Sequence, residues 1–183
     1  MSEDGYLKGL MKGIVNVFSG GLPVLDEQLQ RTADTDDHEA SPGQTGVSAT
    51  VEVLPPPADG LSITYAPARD GDPDAGEVVW TWVPYEERDG RGKDRPVLVI
   101  GQAAKDRVYA VRLTSVSHDG DRDYLPIGPG AWDSKGRPSW VDIEQLYSVH
   151  TDGMRREAAA LDLDRFTVVA RALQQRYGWR VGD

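Results

Sequence analysis

RPVLVIGQAAKDRVYAVRLTS, residues 95–115, reads as two apolar runs separated by a short polar break. How these runs pair decides the fold. If 95–101 and 107–114 form a hairpin about a two-residue turn at Ala104 and Lys105, opposed residue numbers sum to 209 and Arg95 faces Thr114. Pro96, Leu98 and Ile100 then share one face with Leu113, Val111 and Tyr109. The other face carries Arg95, Val97, Val99 and Gly101 with Thr114, Arg112, Ala110 and Val108. A slip of one residue would mix the faces, which burial opposes. Opposed side chains start about 4.5–5.5 Å apart at Cβ, so the Arg95 guanidinium and the Thr114 hydroxyl can reach one phosphate together.

Working outward, EVVWTWV (77–83) alternates as a two-faced strand, and 84–94 reads as a polar loop holding Arg91 and Lys93. After the hairpin come a turn (HDGDRD), a short strand (YLPIG), a Gly/Pro loop, a long strand (SWVDIEQLYSV) and a further strand at MRREAAA. The period then changes to helical: Asp162 is placed as an N-cap, Phe166, Val169, Ala170, Leu173 and Tyr177 form a stripe, and Gly178 ends it. Five or six short strands closed by a C-terminal helix describe a mainly β (α+β) small barrel over 76–183.

The first 75 residues differ in kind. They hold four basic and 13 acidic residues, a net of −9, against −1 for the remainder of a chain whose total is −10. Leu7, Leu10, Met11, Ile14 and Phe18 give 1–18 the spacing of a short amphipathic helix, without the features of a signal peptide or a membrane span. Residues 19–75, rich in Asp, Pro, Gly, Ser and Thr, read as an acidic, largely disordered linker because so little apolar surface is available to offset ordering entropy. Such a leader either solubilises the chain or competes in cis for the cations at 91–95. The chain has no cysteine, and its histidines, His38, His118 and His150, lie far apart. A cytoplasmic protein without disulfides, metal or cofactor is expected.

GEVVWTWV, then RPVLVIG, then LTS and IEQLYSV, in that order and spacing, resemble the PemK/MazF-type toxins of bacterial toxin–antitoxin systems over about Gly76 to Trp179. The resemblance implies an SH3-like barrel that forms homodimers, and a metal-independent endoribonuclease that cuts single-stranded RNA at a short preferred sequence to leave a 2′,3′-cyclic phosphate and a 5′-hydroxyl. It further implies a cognate antitoxin as partner. The family's arginine before proline corresponds to Arg95, and its threonine or serine after the third strand to Thr114, with Ser115 beside it.

The residue chemistry fits those roles. A guanidinium stays charged and donates in a planar fork, which suits charge stabilisation at phosphorus and makes Arg95 a poor base. Thr114 positions a phosphoryl oxygen. For the base, His118 has the appropriate intrinsic pKa, with Glu86 and Glu87 as alternatives. Arg91, Lys93, Arg112 and Ser115 are the expected RNA contacts, although Asp89 and Asp94 offer the loop cations local partners. Trp80 and Trp82 share a face and read as core or dimer interface ahead of base stacking, and Gln145 as structural. The competing function is a barrel that has lost catalysis and serves as a protein- or nucleic-acid-binding module.

Overall fold

The computed structural model describes residues 40–68, 71–87 and 89–182. The helix expected at 1–18 and the first part of the acidic linker lie outside them. Among the described residues the strands are β1 (Val51–Val53), β2 (Ser62–Ile63), β3 (Glu77–Pro84), β4 (Gly92–Ala104), β5 (Arg107–Thr114), β6 (Tyr124–Gly128), β7 (Ser139–His150), β8 (Met154–Ala160) and β9 (Arg180–Val181), with one α-helix, α1 (Leu163–Tyr177), and short 3-10 turns at Gly46–Ser48 and Thr151–Gly153. An antiparallel sheet runs β1-β7-β5-β4-β3-β8, with β6 also pairing with β7. β2 and β9 form a separate parallel pair.

The central hairpin keeps the expected register where it matters. Val97 pairs with Arg112, Leu98 with Val111 and Val99 with Ala110, before irregularities shift the pairing to Gly101 with Tyr109 and Ala104 with Arg107. The turn therefore falls at Lys105–Asp106, one residue beyond the expected position. Bulges absorb the offset, and the faces near Arg95 are unaffected.

Four consecutive residues of β4, Val97 to Ile100, are buried, because both faces are covered. Leu98 and Ile100 join Val111, Leu113, Leu146 and the α1 side chains in the larger core. Val97 and Val99 join Val79, Val83, Val108, Ala110, Tyr147 and Val149 in a second, smaller one. The face that carries Arg95 is thus apolar along most of its length. Only its end, with Arg95, Arg112 and Thr114, leaves the core. Burial of each such Val, Leu or Ile contributes about 1.5–3 kcal/mol, so the site is mounted on a stiff support.

The α1 boundaries follow from the residues that flank it. Asp162 accepts the Arg165 N–H at 3.0 Å, Gly178 adopts φ 77° and donates its N–H to Gln174 O at 2.8 Å, and Phe166, Val169, Ala170 and Leu173 are buried. The apolar stripe faces the larger core.

The linker expected over 19–75 differs over its described part. β1 adds to the edge of β7, Pro42 O accepts the Trp82 N–H at 3.1 Å, and Leu61 and Ile63 are buried. Composition counts the apolar surface a segment owns, whereas this segment needs few apolar residues because it packs on a surface the barrel already presents. Pro56 O further accepts Trp179 Nε1–H at 3.0 Å. Proline also lowers the entropy lost on ordering.

Thr81 joins this segment to the barrel. Its buried hydroxyl donates to Gly153 O at 2.6 Å, so its 2.6 Å contact with Thr50 Oγ1 is made with Thr50 as donor. Gly43, at φ 82°, packs so closely that a Cβ there would lie 2.3 Å from Thr81 Oγ1. Thr81→Val leaves both partners unsatisfied and is expected to cost about 1–3 kcal/mol in chemical denaturation. An unchanged denaturation midpoint would show that these hydroxyls do not hold the segment.

Candidate active site

Arg95 lies near the start of β4, opposite Thr81 of β3, and is half-buried. It borders two cavities. The smaller, about 140 Å³, is also lined by Lys93, Thr114, Ser115, Trp80 and Arg137. The second, about 450 Å³ and more open, is formed with Tyr85, Glu86, Glu87, Arg91 and Arg112. Each of the two cavities that Arg95 borders therefore holds groups that can act on a phosphodiester.

The electrostatics make Arg95 receptive to an anion. Its Nε is buried without a hydrogen-bond partner. Burial, followed by the like charge of Arg112, lowers its pKa from the ordinary arginine value. An arginine remains charged under that load, so the cost is relieved when an anion arrives.

Arg112 is compensated at its terminal nitrogen, although its Nε, like that of Arg95, is buried without a hydrogen-bond partner. Its Nη2 donates to Asp142 Oδ2 at 2.6 Å and to the Tyr124 hydroxyl at 3.0 Å. Burial pulls its pKa down, but Tyr147, Asp142 and Tyr124 together raise it above the usual value. Asp142 is 2 % exposed and also accepts the backbone N–H of Glu144 at 2.9 Å and of Gln145 at 3.3 Å. That carboxylate fixes Arg112 beside Arg95.

The remaining expected residues divide. Thr114 and Ser115 end β5 in the smaller cavity, where Thr114 Oγ1 accepts the Val116 N–H at 3.2 Å and keeps its own proton to donate. Lys93 lies in strand β4 rather than in a loop, since Val83 pairs with Lys93 and Pro84 with Gly92. Of the loop expected over 84–94, only Pro84 and Gly92–Asp94 are strand, and the residues between them connect β3 to β4. Arg91 is held by Asp89 through its N–H at 3.0 Å and its Nε at 2.6 Å. Asp94 pairs with Arg155.

His118 lines neither of the two Arg95 cavities. Its ring stacks on Tyr124, with centroids 3.6 Å apart and planes at 8°, and its Nδ1 lies 3.7 Å from Asp121 Oδ2. Contact with Arg112 passes through Tyr124. Trp80 lines the smaller cavity, while Gln145 accepts the Tyr147 hydroxyl at 2.8 Å.

Asp142, Tyr124 and Arg137 escape sequence reading. The signal for Asp142 is one charge inside the otherwise apolar run SWVDI, a placement that requires a buried partner. No comparable signal marks Arg137. Among the described residues no group of three or more His, Asp or Glu side chains is placed to hold a metal ion, and no helix is long and apolar enough to cross a membrane.

The mostly antiparallel sheet, the C-terminal helix and the arginine–threonine end of the central hairpin define a small barrel with an anion-receptive cleft. The profile of the PemK-like, MazF-like toxin of type II toxin–antitoxin systems matches residues 74–177, more than half of the chain, and the protein belongs to that family. Its fold is similar to that of MazE–MazF from Deinococcus radiodurans, at 22 % identity and TM-score 0.45 over 58 % of this chain and 96 % of that one. MazF from the same organism gives 24 % and 0.44 over 58 % and 96 %. An endoribonuclease bound to its cognate antitoxin, from a mycobacterial species, gives 18 % and 0.44 over 57 % and 93 %. No curated protein sequence matches the chain.

Proposed function

We propose that the protein is an endoribonuclease toxin that cuts single-stranded RNA by attack of the neighbouring 2′-hydroxyl, without metal, and that a cognate antitoxin neutralises it. The observation that carries this reading is Arg95, which has a buried, unpartnered Nε and borders both a cavity with Thr114 and one with Arg112 and the Glu86–Glu87 pair. The homologous relationship supports it, since solved relatives include an endoribonuclease bound to its antitoxin. A homodimer, which the family resemblance implies, and a cytoplasmic location, for which the cysteine-free composition argues, complete the reading.

In this mechanism a base removes the 2′-hydroxyl proton, the 2′-oxygen bonds to phosphorus, and the bond from phosphorus to the 5′-oxygen breaks. Arg95 neutralises the charge that grows on the phosphoryl oxygens, with Thr114 donating to one of them and Arg112 adding a fixed positive field. The carboxylate of Glu86 or Glu87 takes the base role, because both share a cavity with Arg95 and Arg112. His118, the base expected from its intrinsic pKa, is one ring removed and supports Arg112 through Tyr124. A proton returned to the 5′-oxygen completes the balance. Arg91, Lys93 and Ser115 contact the RNA backbone.

Incubating a long mixed-sequence RNA with the full-length protein and a chelator is expected to give fragments ending in 2′,3′-cyclic phosphate and 5′-hydroxyl. Fragments ending in 5′-phosphate would contradict 2′-hydroxyl attack. RNA binding without cleavage would assign the chain to the binding-module class.

A further inference from the structure

The smaller Arg95 cavity does not end at Thr114. It shares Trp80, Trp132, Asp133 and Arg137 with an adjoining cavity of about 390 Å³, which continues past Lys135 to Arg155. That volume lies within the range of small-ligand sites, roughly 300–1,000 Å³. We infer that the two cavities form one subsite for a nucleotide flanking the scissile phosphate of single-stranded RNA, its base stacked on Trp80 and its phosphate held by Arg137. The inference rests on the reading of Arg95 as the residue at the scissile phosphate.

Charge favours RNA as the occupant. Five cations line the joined cavities (Lys93, Arg95, Lys135, Arg137 and Arg155) against three acids (Asp94, Asp133 and Glu157), a net of +2 in a chain of net −10. Two of the acids are occupied: Asp94 is bound by Arg155, and Asp133 Oδ2 accepts Arg137 Nε–H at 2.8 Å. Arg137 engages Asp133 through Nε, its side chain is 54 % exposed, and its terminal nitrogens have no other recorded bond among the described residues. A guanidinium held at Nε and open at its fork suits a phosphate.

The wall carrying Arg137 is pre-formed. Trp132 is 2 % exposed, donates its Nε1–H to Ser139 Oγ at 3.1 Å, and lies under the Arg165 guanidinium at 5.6 Å from the ring centroid. Gly130 sits so close to that ring that a Cβ there would lie 2.1 Å from it. Asp133 in turn accepts the Lys135 N–H at 2.8 Å, which closes the loop. Trp80, which lines both cavities together with this wall, is only partly buried, with Arg155 over its ring at 6.0 Å from the centroid. An aromatic face beside cations binds unpaired bases with little regard to sequence, which favours single strands over duplex.

The test uses the full chain, a single-stranded RNA oligonucleotide cut at one position, and its uncleavable analogue with 2′-deoxyribose there. Trp80→Leu and Arg137→Gln are each expected to raise KM and weaken analogue binding about tenfold, with kcat within about twofold. Shortening the substrate one nucleotide at a time should reproduce the loss in wild type and add none in Trp80→Leu. Unchanged KM and analogue affinity in both variants would overturn the subsite. If those are unchanged while sedimentation shows weakened self-association, the groove belongs to a second copy of the chain and the RNA proposal falls. Should Trp80→Leu fail to fold, the exposed Arg137→Gln decides alone. Arg95→Ala separates the two ideas: wild-type cleavage in that variant sinks the catalytic reading, while analogue binding still reports on the subsite.

Discussion

Replacing Arg95 by methionine is expected to lower kcat for RNA cleavage by about 10³-fold, the scale on which a single arginine stabilises charge in phosphoryl transfer. The same change is expected to leave the fold as stable or more so. Arg95 carries a buried Nε without a partner and sits beside the like charge of Arg112. An unsatisfied buried donor costs about 1–3 kcal/mol, and an apolar side chain of similar length removes that cost. For a chain of this size 1 kcal/mol corresponds to about 2–4 °C in Tm, so a rise of a few degrees is the expected reading. Loss of activity accompanied by a falling Tm would instead make Arg95 a structural residue. Opposite signs in the two measurements identify a group kept for function at the expense of the fold.

Removing the Asp142 carboxylate has the opposite character. Its partner Arg112 has only 12 % of its side chain exposed, and Asp142→Ala would strand that guanidinium beside Arg95 while also releasing two backbone N–H groups and the Tyr124 hydroxyl. Breaking one side of a buried pair costs about 3–5 kcal/mol. A fall in Tm of roughly 6–20 °C is therefore expected, with loss of cleavage. The double variant Asp142→Leu/Arg112→Met should recover most of that stability, because two apolar groups replace the pair instead of one charge being orphaned. Cleavage should stay low in the double variant if the Arg112 charge serves the substrate. Recovery of cleavage along with stability would confine Arg112 to a structural role.

The register of the central hairpin was legible for one reason: the period-two pattern of 95–101 and 107–114 leaves a single pairing that buries Leu98, Ile100, Val111 and Leu113 together. The same pattern placed Arg95 and Thr114 at one end, and both border the smaller cavity. α1 was legible from its caps and stripe. What escaped depends on distant chain. Asp142 lies 30 residues from Arg112, and no local period announces that meeting. The packing of residues 40–63 was hidden because its few apolar residues complete a core built elsewhere. The turn at Lys105–Asp106 was displaced by bulges, which polarity patterns do not encode. His118 was favoured for its intrinsic pKa, a property of the residue type, whereas its stacking on Tyr124 is a property of the fold.

The central claim is that the substrate's own 2′-hydroxyl cuts the strand at a phosphate held by Arg95. It is tested most directly with one end-labelled RNA oligonucleotide containing a single cleavage site, compared with the same strand bearing one 2′-deoxyribose on the 5′ side of the scissile phosphate. The account predicts that the wild-type protein cuts the first and leaves the second intact while binding both with similar affinity. Cleavage of the deoxy-substituted strand at the same position would contradict it.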